Sequence, residues 1–138
     1  MTSAVAPTPP NPPGTVAALD SARFAAEIPA HPFAIIDFWA PWCAPCRSFA
    51  PVFEATAARH PDILFAKIDT EAEPAVAGHF GIRSIPTLMI FRDGIVVFAQ
   101  PGALPATALE QVVASARALD MDEVRREIAN ADGVAPGA

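Results

Sequence analysis

Phe33-Ala34-Ile35-Ile36-Asp37-Phe38-Trp39 is the stretch that most narrows what this chain can become. Prolines stand near both ends of it, at 32 and 41. So compact and nearly continuous an apolar run suits a strand buried on both faces, which needs cover on each side. Ile63-Leu64-Phe65-Ala66-Lys67-Ile68-Asp69 reads as a second strand of the same kind. Between them Phe49, Val52, Phe53 and Ala57 recur at helical spacing and predict a helix with a core-facing stripe. Pro51 falls inside that helix, cannot donate a hydrogen bond and is predicted to kink it. A strand, a helix and a second buried strand imply parallel pairing through a right-handed crossover.

The remaining elements follow from start and stop signals. Val16–Leu19 reads as a short edge strand. Asp20 or Ser21 caps a helix through Glu27, ended by Pro29 and Pro32. Glu73–Phe80 is a short helix stopped by Gly81. Thr87–Phe91 and Ile95–Ala99 are strands joined at Asp93-Gly94, a strong hairpin signal. Thr107 with Glu110 forms a capping box for a helix through Leu119, and Asp120 with Glu123 caps a further helix ending near Asn130. The sum is an α/β chain with a mixed central sheet and helices on both faces. Its organisation is a Pro-rich tail over 1–14, a globular domain over 15–119 and a helical extension with a frayed end over 120–138. Five of the 16 prolines fall in that first tail, which is read as disordered.

Composition removes several functions. Nine Lys and Arg against 15 Asp and Glu give a net charge of −6, which argues against a nucleic-acid partner. No apolar run approaches the roughly 18 residues of a membrane span. Met1–Pro13 lacks the basic start and apolar middle of a signal peptide, so a cytoplasmic monomer is expected. No glycine-rich nucleotide fingerprint is present, so no bound cofactor is expected.

Chemistry concentrates at Trp42-Cys43-Ala44-Pro45-Cys46. These are the only two cysteines. A disulfide closing so short a loop removes little entropy from the unfolded chain, so a structural staple is a poor reading and redox chemistry a good one. Structural zinc needs four ligands, and His31, His60 and His79 show no paired ligand spacing, so no metal is expected. Cys43 should open a helix, where unpaired N–H groups and the helix dipole favour thiolate over thiol. Cys46 lies one turn later on the same face, and Pro45 suits a first turn. Asp37, mid-strand, is either an ion pair with Lys67 or a general base whose pKa is raised by burial. Trp42 reads as a lid over the cysteines and Trp39 as core. His60 and His79 read as helix-surface residues.

Asp37-Phe38-Trp39-Ala40-Pro41-Trp42-Cys43-Ala44-Pro45-Cys46 resembles the active-site segment of the thioredoxin family. Phe80-Gly81-Ile82-Arg83-Ser84-Ile85-Pro86-Thr87 resembles that family's cis-proline segment, and Pro101-Gly102-Ala103-Leu104 its third surface loop. The resemblance covers roughly Thr15 to Leu119 and is strongest to the second bacterial thioredoxin class, without that class's amino-terminal zinc ribbon.

It implies a protein-disulfide reductase. Cys43 attacks a target disulfide, Cys46 resolves the mixed disulfide and Asp37 deprotonates Cys46. Lys67, Ala44 and Pro45 support the site. Trp42, Ile85, Pro86, Gly102 and Ala103 contact the target, with the Ile85–Pro86 bond cis. Regeneration by an NADPH-dependent thioredoxin reductase is implied. Ala44 stands where the family usually has glycine, a departure that implies a shifted potential and leaves an oxidant or isomerase as an alternative; Pro101 stands where the family often has a β-branched residue. A thioredoxin-fold binding scaffold is the other alternative.

Overall fold

The computed structural model describes residues 11–131. The bulk of the expected amino-terminal tail, Met1–Pro10, and the last seven residues lie outside that range. Asn11–Thr15 forms a turn, in which the Thr15 hydroxyl donates to the Pro12 carbonyl at 2.6 Å.

The elements are β1 (Val16–Ala18), α1 (Ser21–Ala30), β2 (Phe33–Trp39), α2 (Ala44–Arg59), β3 (Leu64–Asp69), α3 (Pro74–His79), β4 (Thr87–Arg92), β5 (Ile95–Pro101), α4 (Ala106–Arg117) and α5 (Met121–Ala131). The five strands make one sheet in the order β1-β3-β2-β4-β5. β2 lies parallel to β3, which lies parallel to β1, whereas β4 is antiparallel to both β2 and β5.

Alternation along β2 divides the core in two. Ala34, Ile36 and Phe38 pack with Ile28 of α1 and Val76 of α3 on one face. Phe33 and Ile35 pack with Phe49 and Phe53 of α2 and Leu109 and Val113 of α4 on the other. Helices therefore cover both faces, as the run 33–39 demanded. The β4–β5 hairpin turns on Asp93 and Gly94, at φ 53° and 78°. Two successive positive φ values are what a tight hairpin of matching twist requires.

Three local expectations change. α1 runs past Glu27 through Pro29 to Ala30. Proline's fixed φ is helical, and in a last turn its missing N–H forfeits one bond without breaking the helix. The side-chain cap at the start of α1 is Asp20, which accepts from the Arg23 N–H at 2.7 Å. Glu73, the N-cap of α3, adds a tie, accepting from both the Ser21 N–H and hydroxyl at 2.8 Å.

The Thr107–Glu110 capping box does not form. Pro105 is the N-cap of α4, without a side-chain cap. The Glu110 carboxylate instead accepts from Arg59 Nε at 2.7 Å and meets His60 Nε2 at 2.8 Å. Charged donors outcompete a neutral backbone N–H for a carboxylate. This also moves His60 from free surface to a half-buried joint between α2 and α4. Its Nδ1 accepts from Arg117 at 3.2 Å, which leaves Nε2 to carry the proton given to Glu110. α5 begins as expected, with Asp120 Oδ1 accepting from the N–H groups of Asp122 and Glu123.

Phe53 is fully buried between Phe49 and Phe65, with ring centroids 5.6 and 5.2 Å away. Phe53→Ala is expected to destabilise the fold by about 3–5 kcal/mol, through lost burial and the cavity left behind. Ile128→Ala on exposed α5 should stay within about 0.5 kcal/mol of wild type. Urea midpoints of the two variants check both values.

Candidate active site

Three segments meet at one end of the sheet because of strand direction. The carboxyl end of β2 leads into Cys43. β4 is antiparallel to β2, so its start, after Ile85-Pro86, lies at that same end. β5 is antiparallel to β4, so its end, at Pro101-Gly102, arrives there too.

Cys43 is the N-cap of α2, with φ −85° and ψ 113°. Its Sγ accepts from the Cys46 N–H at 3.2 Å. Ala44 and Pro45 open the helix, where proline's missing N–H would have had no partner. Cys43 and Cys46 form a disulfide with Cα atoms 5.2 Å apart, and both are buried. Ala40 is fully buried beside them, with Trp39 and Ile85 packed against the group.

Ile85 brings its carbonyl oxygen to 3.7 Å from Cys43 Sγ. The Ile85–Pro86 peptide is cis. The Pro86 carbonyl accepts from the Gly102 N–H at 2.8 Å, which fastens the third segment to the second. Gly102 holds φ 105°, a conformation that glycine supplies without steric strain. Ala103 follows it on the surface. Trp42 is 63% exposed and reaches sideways, its indole N–H donating to Glu71 Oε2 at 2.5 Å.

Asp37 continues the β2 face that carries Phe33 and Ile35, so it lies beneath the start of α2. It is only 4% exposed, and its Oδ1 has no hydrogen-bond partner. Burial pushes its pKa from 3.8 up to about 7, against the downward pull of the Lys67 charge. Lys67 stands opposite Asp37 in the β2–β3 register. It makes no ion pair with it, however; the ammonium sits 4.6 Å from the Trp39 ring centroid. An aromatic face attracts a cation, so Lys67 acts on Asp37 through space rather than by contact.

Residues 15–115 match the thioredoxin family model. The chain is 54% identical over 111 residues to a putative thioredoxin 2 from Streptomyces coelicolor, covering 80% of this chain and 83% of that protein. The chain belongs to the thioredoxin family.

Among solved structures, a mutant thioredoxin from Halobacterium salinarum NRC-1 superposes with TM-score 0.73 at 29% identity, covering 81% of this chain and 99% of that one. A thioredoxin f2 in complex with ferredoxin:thioredoxin reductase superposes with TM-score 0.73 at 27% identity, covering 78% of this chain and 100% of that one. With its Cys-Ala-Pro-Cys pair intact, this thioredoxin-family chain is a thiol–disulfide oxidoreductase. Proteins of this kind need no bound cofactor. Among the described residues no three His, Cys, Asp or Glu are grouped to hold a metal, and no helix is long and apolar enough to cross a membrane.

Every residue singled out from the sequence around the cysteines lies at this end of the sheet or directly beneath it. Glu71, which holds Trp42, and Arg47, whose Nη1 donates to the Pro41 carbonyl at 2.9 Å, join the rim without having been anticipated. Trp42 and Glu71 are 29 positions apart, and no periodic pattern links them.

Asp37→Asn tests the electrostatics. A carboxyl whose pKa rises on folding stabilises the fold fully below its unfolded pKa, and that contribution is lost as pH climbs through the folded value. Here the window runs from 3.8 to about 7. The asparagine variant is expected to exceed wild type in stability by about 2–4 kcal/mol at pH about 8, and to lose that advantage near pH 4. Urea melts at the two pH values read the difference.

Proposed function

We propose that this chain reduces disulfides of target proteins, with Cys43 as the attacking thiolate and Cys46 as the resolving thiol. The observation that carries the reading is Cys43 at the N-cap of α2, its sulfur already accepting the Cys46 N–H. Such a position lowers a thiol's pKa and supplies nucleophile near neutral pH.

In the reduced protein the Cys43 thiolate attacks one sulfur of the target disulfide. The target S–S bond breaks, a mixed disulfide forms and a target thiolate leaves to take a proton from water. Cys46 then gives up its proton and attacks Cys43 Sγ. The mixed disulfide breaks, the second target thiolate leaves and the Cys43–Cys46 disulfide closes. Two electrons pass to the target. Asp37 accepts the Cys46 proton; a carboxyl with pKa near 7 is matched to that task at neutral pH.

The target chain lies against Ile85 and Pro86, whose backbone approaches Cys43, with Trp42, Gly102 and Ala103 around it. Ala44, between the cysteines, tunes the potential, while Pro45 preorganises the first turn and Lys67 moderates Asp37.

The oxidised protein is returned to the dithiol by a thioredoxin reductase drawing on NADPH. The similar thioredoxin f2 bound to a reductase supports docking of an electron donor on this fold. We place the protein in the cytoplasm as a monomer, in keeping with its only cysteines being the reactive pair.

Insulin reduction tests the activity. Cys46→Ser is expected to accumulate mixed disulfides with targets on Cys43, and Cys43→Ser to accumulate none. Alkylation of the reduced protein at neutral pH should label Cys43 first; faster labelling of Cys46 would invert the two roles. Asp37→Asn should slow release of the mixed disulfide more than its formation, as stopped-flow reduction of a model disulfide would resolve.

A further inference from the structure

The exposed arginines near the active site are not paired as those elsewhere on the molecule are. Six arginines are exposed: Arg47, Arg59, Arg83, Arg117, Arg125 and Arg126. Four of them pair with carboxylates, Arg59 with Glu110, Arg117 with Asp62, Arg125 with Asp93 and Asp122, and Arg126 with Glu123. Among the described residues, Arg47 and Arg83 alone of the six make no ion pair.

Both lie on segments that reach the cysteines. Arg47 follows Cys46 in the first turns of α2, with its guanidinium bonded to the Pro41 carbonyl in the loop that carries Trp42. Arg83 precedes by two residues the Ile85 carbonyl that touches the Cys43 sulfur. It also lines a concavity of about 240 Å³ with Ser84, Gln100 and Pro101. Thr87 lines it too, and Thr87 and Pro101 are the sequence neighbours of the Pro86 and Gly102 that the backbone hydrogen bond joins. The acid on this rim, Glu71, has its carboxylate bonded to the Trp42 indole.

A chain of net charge −6 that pairs its other exposed arginines leaves two guanidinium groups without a carboxylate on the segments where a partner docks. Guanidinium groups match carboxylates in shape as well as charge. We propose that Arg47 and Arg83 are specificity-determining residues that select target proteins with acidic side chains on either side of the reactive disulfide, the Arg83 hollow receiving one of those carboxylates. This rests on the disulfide-reductase reading above and names its substrate class. The chemistry at sulfur is unchanged; what the arginines alter is the rate at which a target arrives and aligns.

The test uses the reduced full-length protein and two synthetic disulfide peptides that differ only in carrying Glu or Lys beside each cysteine. Stopped-flow rate constants are measured, and the readout is the Glu-to-Lys ratio, so a general loss of activity in a variant cancels. Two exposed arginines, each attracting Glu and repelling Lys, support a ratio of about fivefold at low ionic strength. That ratio should shrink towards one at about 0.5 M salt, where the screening length falls to a few ångströms. Arg47→Gln and Arg83→Gln should each reduce it, and the double variant should bring it within about twofold.

A wild-type ratio near one, or a double variant that keeps the full ratio, overturns the proposal. Uncharged 2-hydroxyethyl disulfide separates the two levels of failure. If wild type reduces it and both peptides alike, only the selectivity is wrong. If wild type reduces none of the three, the reductase reading falls and this proposal with it.

Discussion

Everything in this molecule is arranged around the need to cover β2 on both faces. The strand exposes almost nothing, pairing with β3 on one edge and β4 on the other, with α1 and α3 above and α2 and α4 below. A fully paired strand leaves no backbone polar group unsatisfied, so the interior can be wholly apolar except where a side chain intervenes. The chain leaving β2 must turn at once to become a covering helix. That turn carries Cys43, and the helix it starts supplies the positive end of a dipole. The reactive cysteine thus stands where the central strand ends and its cover begins, as ligand sites do at the carboxyl ends of strands in open α/β sheets.

The same strand carries the fold's one deliberate flaw. Asp37 interrupts an apolar row, and the opposite cation that could have paired with it rests on Trp39 instead. Direct pairing would hold the carboxyl ionised and lower its pKa; desolvation without pairing raises it towards neutrality. In the proposed role of Asp37, the stability forfeited at neutral pH is what lets the group exchange a proton there. A carboxylate deep in a strand is thus intelligible through the chemistry above it rather than through packing, as expected where stability and activity compete.

Around this centre the polar contacts divide by role. At the far side of the sheet from α1, Glu110 with Arg59 and His60, and Asp62 with Arg117, lock α4 to the end of α2 and use up their charges on each other. At the active end Arg47, Arg83 and Lys67 meet no carboxylate, and one acid holds an exposed tryptophan. The first arrangement fixes the fold; the second leaves a surface that a partner can complete. The expected capping box failed for the same reason. Glu110 stands at the right spacing from Thr107, but spacing along a helix does not know that Arg59 and His60 will arrive from another one.

Residue order alone sets the strands, their burial, the helix that Cys43 begins and the place of the two cysteines on it. These depend on short-range periodicity and on turn chemistry such as Asp93-Gly94, which are written in neighbouring residues. Its marks for helix ends were less binding, since Pro29 sits within α1 where a last turn tolerates it. Packing of distant elements settles which carboxylate meets which cation, that Lys67 stacks rather than pairs, that Glu71 holds Trp42 and that Arg47 and Arg83 meet no carboxylate. Those choices join residues tens of positions apart. They depend on the relative placement of packed elements, which no local pattern encodes, because long side chains settle on whichever partner the assembled core brings within reach.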